Sequence, residues 1–536
     1  IFTVNRRLCD DRLKNNPEQG DSMNGAQTLL NALVNAGVTV CFANPGTSEM
    51  HLVMSIGKTD SVRPVLCLFE GVATGAADGY ARMTDKPAIT LLHLGPGLSN
   101  GMANLHNARK AHVPLVNIVG DHATHHLQYE TPLRSDVPAH ARICSDWVGI
   151  SQSPDDLAAA GLKAVEAAMT GSGKIATLIV PANHAWETAN TPSPPPVSMP
   201  GMARVQPDVI DDIAALLKNG KPSALLLGGR GLREHALAVA GAIANATGAD
   251  ILSETFPAHI HRGAGRVKTT RVPYFVEKAV EFLQKYDQII LVGGLIPVAF
   301  FAYPDTPSLL AKTDCTITTL TTCDQCPLSA LKLLAGKLNV RHSGILQEQI
   351  RLPQPSGKLT AQAIGRSLND LLPENAILSD EAVTSALEIF ACTEGAAPHD
   401  WLGITGGSIG QGLPVSLGAA IACPDRKVIA LQADGSAMYT VQTLWTMARE
   451  KTDVTVILMN NRSYAILNIE LARVGAGQTN EKTLSMFNLA PPDIDWVQIA
   501  GGMGVPATRA TTVEEFHQQL TGAMRQKGPF LIDAVL

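Results

Sequence analysis

Apolar residues after Met23 recur every three or four positions (Leu29, Leu30, Leu33, Val34), and the pattern then switches to short β-branched runs. The alternation continues along the chain, with Ala- and Leu-rich periodic stretches between the runs. A helical period alternating with short apolar runs is the pattern of parallel sheets covered by helices, so the sequence predicts an α/β fold. Candidate strands are Val38–Ala43, Ala88–His93, Leu115–Val119, Ala176–Val180, Ser223–Leu227, Gln288–Val292, Lys427–Leu431, Val454–Met459 and Phe530–Val535.

Two Pro-rich breaks interrupt this pattern. Asn190–Pro200 (NTPSPPPVSMP) can continue neither helix nor sheet and reads as an extended linker, and Leu352–Gly357 (LPQPSG) reads the same way. They leave blocks near 23–190, 205–345 and 358–536, each the size of one doubly wound, parallel-sheet domain. Residues 1–22 are polar and precede Met23; they read as a leader, tag or upstream read-through and are set aside from the fold.

A chain of 536 residues is too long for one core, which agrees with three domains. Its net charge of −6 and scattered Lys and Arg offer no basic stripe, so nucleic acid is not an expected partner. No apolar run approaches the roughly 20 residues that cross a bilayer, so no membrane partner is expected and a cytoplasmic location is the default. Nine cysteines, an odd number spread thinly, point to reduced thiols. Cys323 and Cys326 form a C-x-x-C. A redox or zinc role would need a second ligand pair or a thioredoxin-like strand and helix around them. The sequence pattern reveals neither, and the spacing reads as chance.

The most specific chemistry lies in the last block. The strand KVIALQ runs into Ala433-Asp434-Gly435-Ser436, and the strand VTVILM ends at Asn460-Asn461. The separation of 461 − 434 = 27 residues leaves room for one crossover helix between parallel strands. Asp434 and Asn461 then emerge at strand C-termini, where open α/β sheets bind ligands. A hard cation such as Mg²⁺ takes oxygen ligands and bridges readily to a diphosphate, and Asp434, Asn461 and the main-chain oxygen of Ser463 can supply three. Gly435 and Ser436 open a helix whose free N–H groups can face phosphate oxygens. Taken singly, Asp-Gly-Ser and Asn-Asn are turn chemistry.

Taken together, this spacing resembles the G-D-G-S to N-N motif of thiamine-diphosphate-dependent enzymes, with Ala433 in place of the first glycine. The surrounding GGSIGQGLP, ADGSAMY, LWTMAR and MNNRSY resemble the benzoylformate decarboxylase and acetolactate synthase large-subunit branch. In the first block, Asn44-Pro45-Gly46-Thr47-Ser48-Glu49, the stretch EGVATGAADGYAR from Glu70, and His93-Leu94-Gly95-Pro96-Gly97 match in the same order. The resemblance covers most of residues 23–536, with a weak match in the middle block. It implies pyrimidine-binding, middle and diphosphate-binding domains, thiamine diphosphate and Mg²⁺ as cofactors, and a homodimer or homotetramer with active sites between subunits.

By the same resemblance, Glu70 is the glutamate that hydrogen-bonds N1′ of the cofactor's aminopyrimidine, favouring the tautomer that activates the thiazolium. Ile409 stands where the family carries the apolar wedge beneath the cofactor, and Thr384 and Ser436 match positions that hold the diphosphate. His93 sits where benzoylformate decarboxylases carry an active-site histidine, suited to proton relay. The second histidine of that branch is missing, with Phe301 at its position, and Thr47 replaces a serine near the substrate carboxylate. His122, His125 and His126 read as a solvated loop rather than a metal site. FAD is not expected, because Gly228-Gly229-Arg230-Gly231 lacks the third glycine of a dinucleotide fingerprint and the flavin-binding members' Arg-Phe-Asp-Asp-Arg stretch has no counterpart.

The expectation is therefore a nonoxidative decarboxylase of a small 2-oxo acid, with Glu70 and His93 as its catalytic residues. An acetolactate synthase-like carboligase and a catalytically silent cofactor-binding subunit are the alternatives.

Overall fold

A computed structural model describes residues 23–191, 195, 199–475 and 477–536. The reading of residues 1–22, and of the centre of the Asn190–Pro200 segment, lies outside them.

The first sheet is built from β1 (Val40–Asn44), β2 (Arg63–Leu66), β3 (Ala88–Leu92), β4 (Leu115–Asp121), β5 (Trp147–Ile150) and β6 (Ile175–Pro181). All pairings are parallel, in the order β2-β1-β3-β4-β6-β5. Next along the chain come β7 (Ser223–Leu227), β8 (Asp250–Ser253), β9 (Ile260–Arg262), β10 (Thr270–Arg271), β11 (Gln288–Val292) and β12 (Thr316–Thr321). All but β9 form a second parallel sheet, β10-β8-β7-β11-β12.

The third sheet contains β13 (Ala376–Glu381), β14 (His399–Leu402), β15 (Val428–Ala433), β16 (Val454–Asn460), β17 (Ala507–Ala510) and β18 (Phe530–Val535), in the order β17-β18-β16-β15-β13-β14-β9. Strand β9 pairs antiparallel with β14, so the middle block lends a strand to the last one. This covers what would otherwise be an open edge of unpaired N–H and C=O groups.

The nine candidate strands coincide within two residues with β1, β3, β4, β6, β7, β11, β15, β16 and β18. Those the pattern missed are short or polar, such as RPVL, HDWL and ATRA. Strand β13 is the informative miss: it ends in Asp380 and Glu381, both buried, and a charged pair hides a strand from a hydrophobic pattern.

Three helices position the site: α1 (Glu70–Thr84), α2 (Leu94–Lys110) and α3 (Gly412–Ala422). Gly71, Gly75 and Gly79 recur every four residues on α1 and therefore share one face. A Cβ at Gly79 would fall 2.1 Å from the carbonyl oxygen of Val415, and one at Gly418 would fall 1.9 Å from that of Ala76. Glycine on both helices lets α1 and α3 approach backbone to backbone, tying the first block to the last. At the end of α1, Arg82 forms a buried pair with Asp78 at 2.7 Å and donates to the carbonyls of Ala258 and Gly403. Among the described residues no helix is long and apolar enough to cross a membrane.

Candidate active site

Parallel strands end together, so the residues after β1, β3 and β4 share one edge of the first sheet. Glu49, five residues beyond β1, is fully buried. Its carboxylate accepts from the Gly46 N–H at 2.7 Å, the Ser48 hydroxyl at 2.5 Å and Nδ1 of His93 at 2.9 Å. A carboxylate can only accept, so this contact favours the tautomer in which Nδ1 of His93 donates to Glu49 and leaves Nε2 as the free ring nitrogen. The His93 side chain keeps 21 % of its surface exposed. On β4, a Cβ at Gly120 would fall 1.9 Å from Oε1 of Glu49, so only glycine leaves room for this carboxylate.

Glu70 opens α1 and is buried, with Oε2 accepting from the side-chain amide of Asn100 on α2 at 3.0 Å. The next turn of α2 carries Asn104, whose amide donates to the carbonyls of Gly71 and Gly410. The loop before α3 is thereby fastened to the start of α1.

In the last block, β15 and β16 are parallel neighbours and deliver Asp434 and Asn461 to one edge, with helices α4 (Asp434–Ala437) and α5 (Thr443–Glu450) crossing between them. Asp434 is 2 % exposed; Oδ1 accepts from the Gly435 N–H at 2.8 Å and Oδ2 from the Arg462 N–H at 2.6 Å. Burial pushes its carboxyl above the usual range, against the pull of these N–H donors. The Asn461 amide oxygen accepts from the Ser463 N–H at 3.0 Å. No arginine or lysine side chain pairs with Asp434 among the described residues, and a buried carboxylate without a cation is costly. The oxygen-rich donor set of Asp434, Asn461 and the Ser463 carbonyl therefore suits a hard divalent ion.

Glu381, at the end of β13, organises the loop that carries Ile409. Its oxygens accept from the N–H groups of Gly410 at 2.5 Å, Gln411 at 3.2 Å and Gly412 at 2.7 Å, and from the Gln432 amide at 2.9 Å. Burial pushes this carboxyl up to about 7, opposed by the four donors. Gln432 also donates to the Ser436 hydroxyl at 2.5 Å, so one chain of bonds runs from the Ile409 loop to the Asp-Gly-Ser turn. Thr384 lies three residues past Glu381, half-buried like Ile409.

Backbone strain marks the same positions. Leu94 beside His93, Val383 beside Thr384, and Arg462 beside Asn461 adopt φ values of 51°, 51° and 57°. Non-glycine residues, above all a β-branched valine, avoid this region unless the surrounding structure forces them into it, and such strain concentrates at functional sites.

The structure thus gathers Glu70 with Asn100, His93 with Glu49, and Asp434 with Asn461, Ser463 and Ser436. Among the described residues no hydrogen bond joins Glu70 or His93 to the Asp434 group. Sequence reasoning missed Glu49 and Glu381 as site residues. Each is an acid just past or at the end of a buried strand, which is the signal that could have found them.

Phe301 lies in an edge-on aromatic cluster with Phe300 and Tyr303, and the Phe300 ring abuts Gly407 in the Ile409 loop. His125 and His126 are exposed on a single 3₁₀ turn, and His122 hydrogen-bonds Thr131. Among the described residues, the one group of three His, Cys, Asp or Glu side chains close enough to share an ion is instead His259, His261 and Asp400. Arg426 pairs with Asp400 at 2.5 Å and Arg233 contacts His259, so guanidinium charge already fills that junction.

Similarity to known proteins identifies the family. The thiamine pyrophosphate enzyme N-terminal TPP binding domain matches residues 23–140, and the C-terminal TPP binding domain matches residues 386–534. A Mycobacterium tuberculosis protein named "Putative acetolactate synthase large subunit IlvX" is 46 % identical over 96 % of this chain and 99 % of its own length. Benzoylformate decarboxylase of Pseudomonas aeruginosa is 26 % identical over 93 % of this chain and 96 % of its own. A Rhodococcus jostii thiamine diphosphate-dependent 4-hydroxybenzoylformate decarboxylase shares the fold with a TM-score of 0.83 at 24 % identity, covering 95 % of this chain and 98 % of that one. With both TPP-binding domains matched and 46 % identity to a relative along nearly its whole length, the chain belongs to the thiamine pyrophosphate enzyme family, in its decarboxylase and acetolactate synthase branch.

Proposed function

We propose that this protein decarboxylates a 2-oxo acid without oxidation, using thiamine diphosphate and Mg²⁺, and that carboligation is open to it from the same first half-reaction. When bound, the cofactor supplies a nucleophilic carbon and an electron sink. Asp434, Asn461 and the Ser463 carbonyl would hold Mg²⁺; Gly435, Ser436 and Thr384 would hold the diphosphate, and Ile409 would support the rings. Glu70, steadied by Asn100 at Oε2, would offer its other oxygen as the hydrogen-bonding contact to the aminopyrimidine. His93 gives or takes a proton at Nε2 because Glu49 fixes the other ring nitrogen.

The observation that carries the decarboxylase reading is the His93–Glu49 pair. A proton must reach the carbon that carbon dioxide leaves, and an oriented, partly exposed imidazole at the sheet edge that carries Glu70 is suited to deliver it. The aromatic cluster favours a second reading. Phe300 and Phe301 offer no proton, so a second carbonyl compound could be the electrophile, as the name of the 46 %-identical relative suggests. A silent subunit fits less well with the intact Glu70, Asp434 and Asn461. The reading includes no FAD, because Gly228-Gly229-Arg230-Gly231 lacks the third glycine of a dinucleotide fingerprint and the Gly229 N–H is already taken by Glu254 at 3.1 Å. The reading also has a second copy of the chain completing each site, as a homodimer or homotetramer in the cytoplasm.

The test is carbon dioxide release from a panel of 2-oxo acids, with product analysis, comparing wild type with Glu70→Gln. Release that needs both cofactors and falls at least ~100-fold in the variant is expected, since general acid–base contacts contribute 10²–10⁴-fold. Aldehyde as product supports the decarboxylase and a hydroxyketone the carboligase. No release from any acid, despite cofactor binding, overturns the proposal.

A further inference from the structure

Cys323 and Cys326 take no part in the site above, yet the structure supplies the surroundings that the sequence pattern did not reveal. Strand β12 ends at Thr321, and Cys326 caps the eleven-residue helix Pro327–Lys337, whose first position is proline. The C-x-x-C thus lies on a turn between a strand and a helix, a setting that the sequence reading of chance spacing did not include. The miss has a physical origin, because TITTLT is half-exposed and reads as polar.

The turn is tightly held. The Gln325 N–H donates to the Thr322 carbonyl at 3.3 Å, and the Gln325 side chain accepts from the Thr322 N–H at 2.9 Å. The Cys326 N–H donates to Ala203 at 3.0 Å, and the Ala203 N–H to Asp324 at 3.1 Å. A disulfide spans Cα atoms roughly 4.4–6.8 Å apart. Three residue steps reach at most ~10 Å even when extended, and the turn over 322–325 shortens the path from Cys323, so the spacing brings the two cysteines near the span a disulfide needs.

The two thiols are unlike each other. Burial raises the Cys326 thiol, but the Ser329 hydroxyl, the N–H groups of Ser329 and Leu328 in the first helical turn, and the nearby Arg230 charge outweigh it and bring it below its ordinary value. Burial and the Asp324 carboxylate raise Cys323, which lines a cleft with Arg230, Ser172 and Pro327. All eight described cysteines are free, and Cys326 is the one among them shifted downward. A thiolate at a helix N-terminus beside an arginine, with a second thiol three residues away, is the arrangement of reactive rather than structural cysteines.

We propose that Cys323 and Cys326 are a redox-active dithiol that closes reversibly to a disulfide with a low-molecular-weight disulfide as oxidant. The Cys326 thiolate attacks one sulfur of that oxidant, forming a mixed disulfide and expelling one small thiolate. Cys323, losing its proton, then attacks Sγ of Cys326 and expels the second. Two electrons pass from the cysteine pair to the small disulfide, and the two cysteine protons end on the two released thiols. The turn packs against the first block, with Asp324 at Gly171 and Arg230 donating to the Ser172 carbonyl at 3.4 Å, so closure acts at a contact between domains.

The experiment equilibrates the full-length protein in glutathione buffers from reducing to oxidising, quenches with acid, alkylates, and maps peptide masses. The expected result is a reversible loss of two hydrogens confined to the Cys323–Cys326 peptide. Cys323→Ser should retain one glutathione on Cys326, whereas Cys326→Ser should leave Cys323 unmodified. Arg230→Gln should slow Cys326 alkylation several-fold near neutral pH. Both thiols remaining reduced across the wild-type titration would overturn the proposal, whatever the variants do. So would glutathione appearing on Cys392 or Cys423 as fast as on Cys326.

Discussion

Gly120→Ala is the sharpest test of how His93 is held. The new Cβ would sit 1.9 Å from Oε1 of Glu49, 2.7 Å from its Cδ and 2.8 Å from its Cγ, so all three closest contacts fall on one side chain. Ordinary non-bonded separation is about 3.5 Å, so the carboxylate must retreat by roughly 1.5 Å. That movement stretches the 2.9 Å contact with Nδ1 of His93 past hydrogen-bonding range and releases the Ser48 hydroxyl and Gly46 N–H as well. Overpacking of this kind costs about 1–3 kcal/mol of stability. A misplacement of about 1 Å in a reacting group can cost ~100-fold in rate.

The expected outcome is a kcat about 100-fold lower with KM little changed, and a modestly lower melting temperature. Glu49→Gln is the isosteric control. Its amide oxygen can still face the Gly46 N–H and His93 while its NH₂ donates to the Ser48 hydroxyl, so the ring stays in place. The decisive measurement is a double-mutant cycle with His93→Ala. If Glu49 acts through His93, Gly120→Ala has no further effect on kcat once the imidazole is gone. An equal drop in the His93→Ala background would refute the reasoning and make Gly120 a matter of packing alone.

Other outcomes follow from buried charge. Asp434→Asn should weaken Mg²⁺-dependent cofactor binding by roughly 100-fold or more, measured by calorimetry, since even outer partners of a metal site are worth 10–100-fold. The same variant should raise the melting temperature of the cofactor-free protein. Burial holds the Asp434 carboxyl above its ordinary value, so the stability it contributes is complete only at acid pH and is lost as pH rises and the group ionises. Glu254 gives a pH test. Burial lifts its carboxyl from 4.5 to about 7, so its contribution is full below pH 4.5 and disappears as pH rises through 7, on the order of 3 kcal/mol over the window. Glu254→Gln should flatten the melting temperature against pH between 5 and 8, and an unchanged slope would rule this out.

Much of the fold and half of the site were legible because they rest on burial. Strands with continuous apolar faces announce themselves, and β15 and β16 carried Asp434 and Asn461 with them. Glu49 lay inside the NPGTSE motif without an assigned role, because its importance comes from His93 and Gly120, each brought in by another strand of the sheet. Glu381 was hidden more deeply. A pattern that scores charge as exposure cannot register a carboxylate buried among four donors, three of them main-chain N–H groups of a loop about thirty residues further on. Strand β9 escaped because it leaves the block that sequence continuity assigns it to.

The common element in these misses is a polar group satisfied by distant backbone. In water Glu49, Glu381 and Asp434 would stay solvated; inside, each is tolerable only with donors or a cation around it. Glu49 and Glu381 have their donors within this chain, and each fixes a neighbour, His93 in one case and the Ile409 loop in the other. Asp434 has two N–H donors at 2.8 and 2.6 Å and, among the described residues, no paired lysine or arginine, so the divalent ion proposed for it would offset its burial. On the proposed reading, that difference separates the framework from the metal site. The groups already satisfied hold the geometry, whereas the group left short of a partner is where binding energy can be gained.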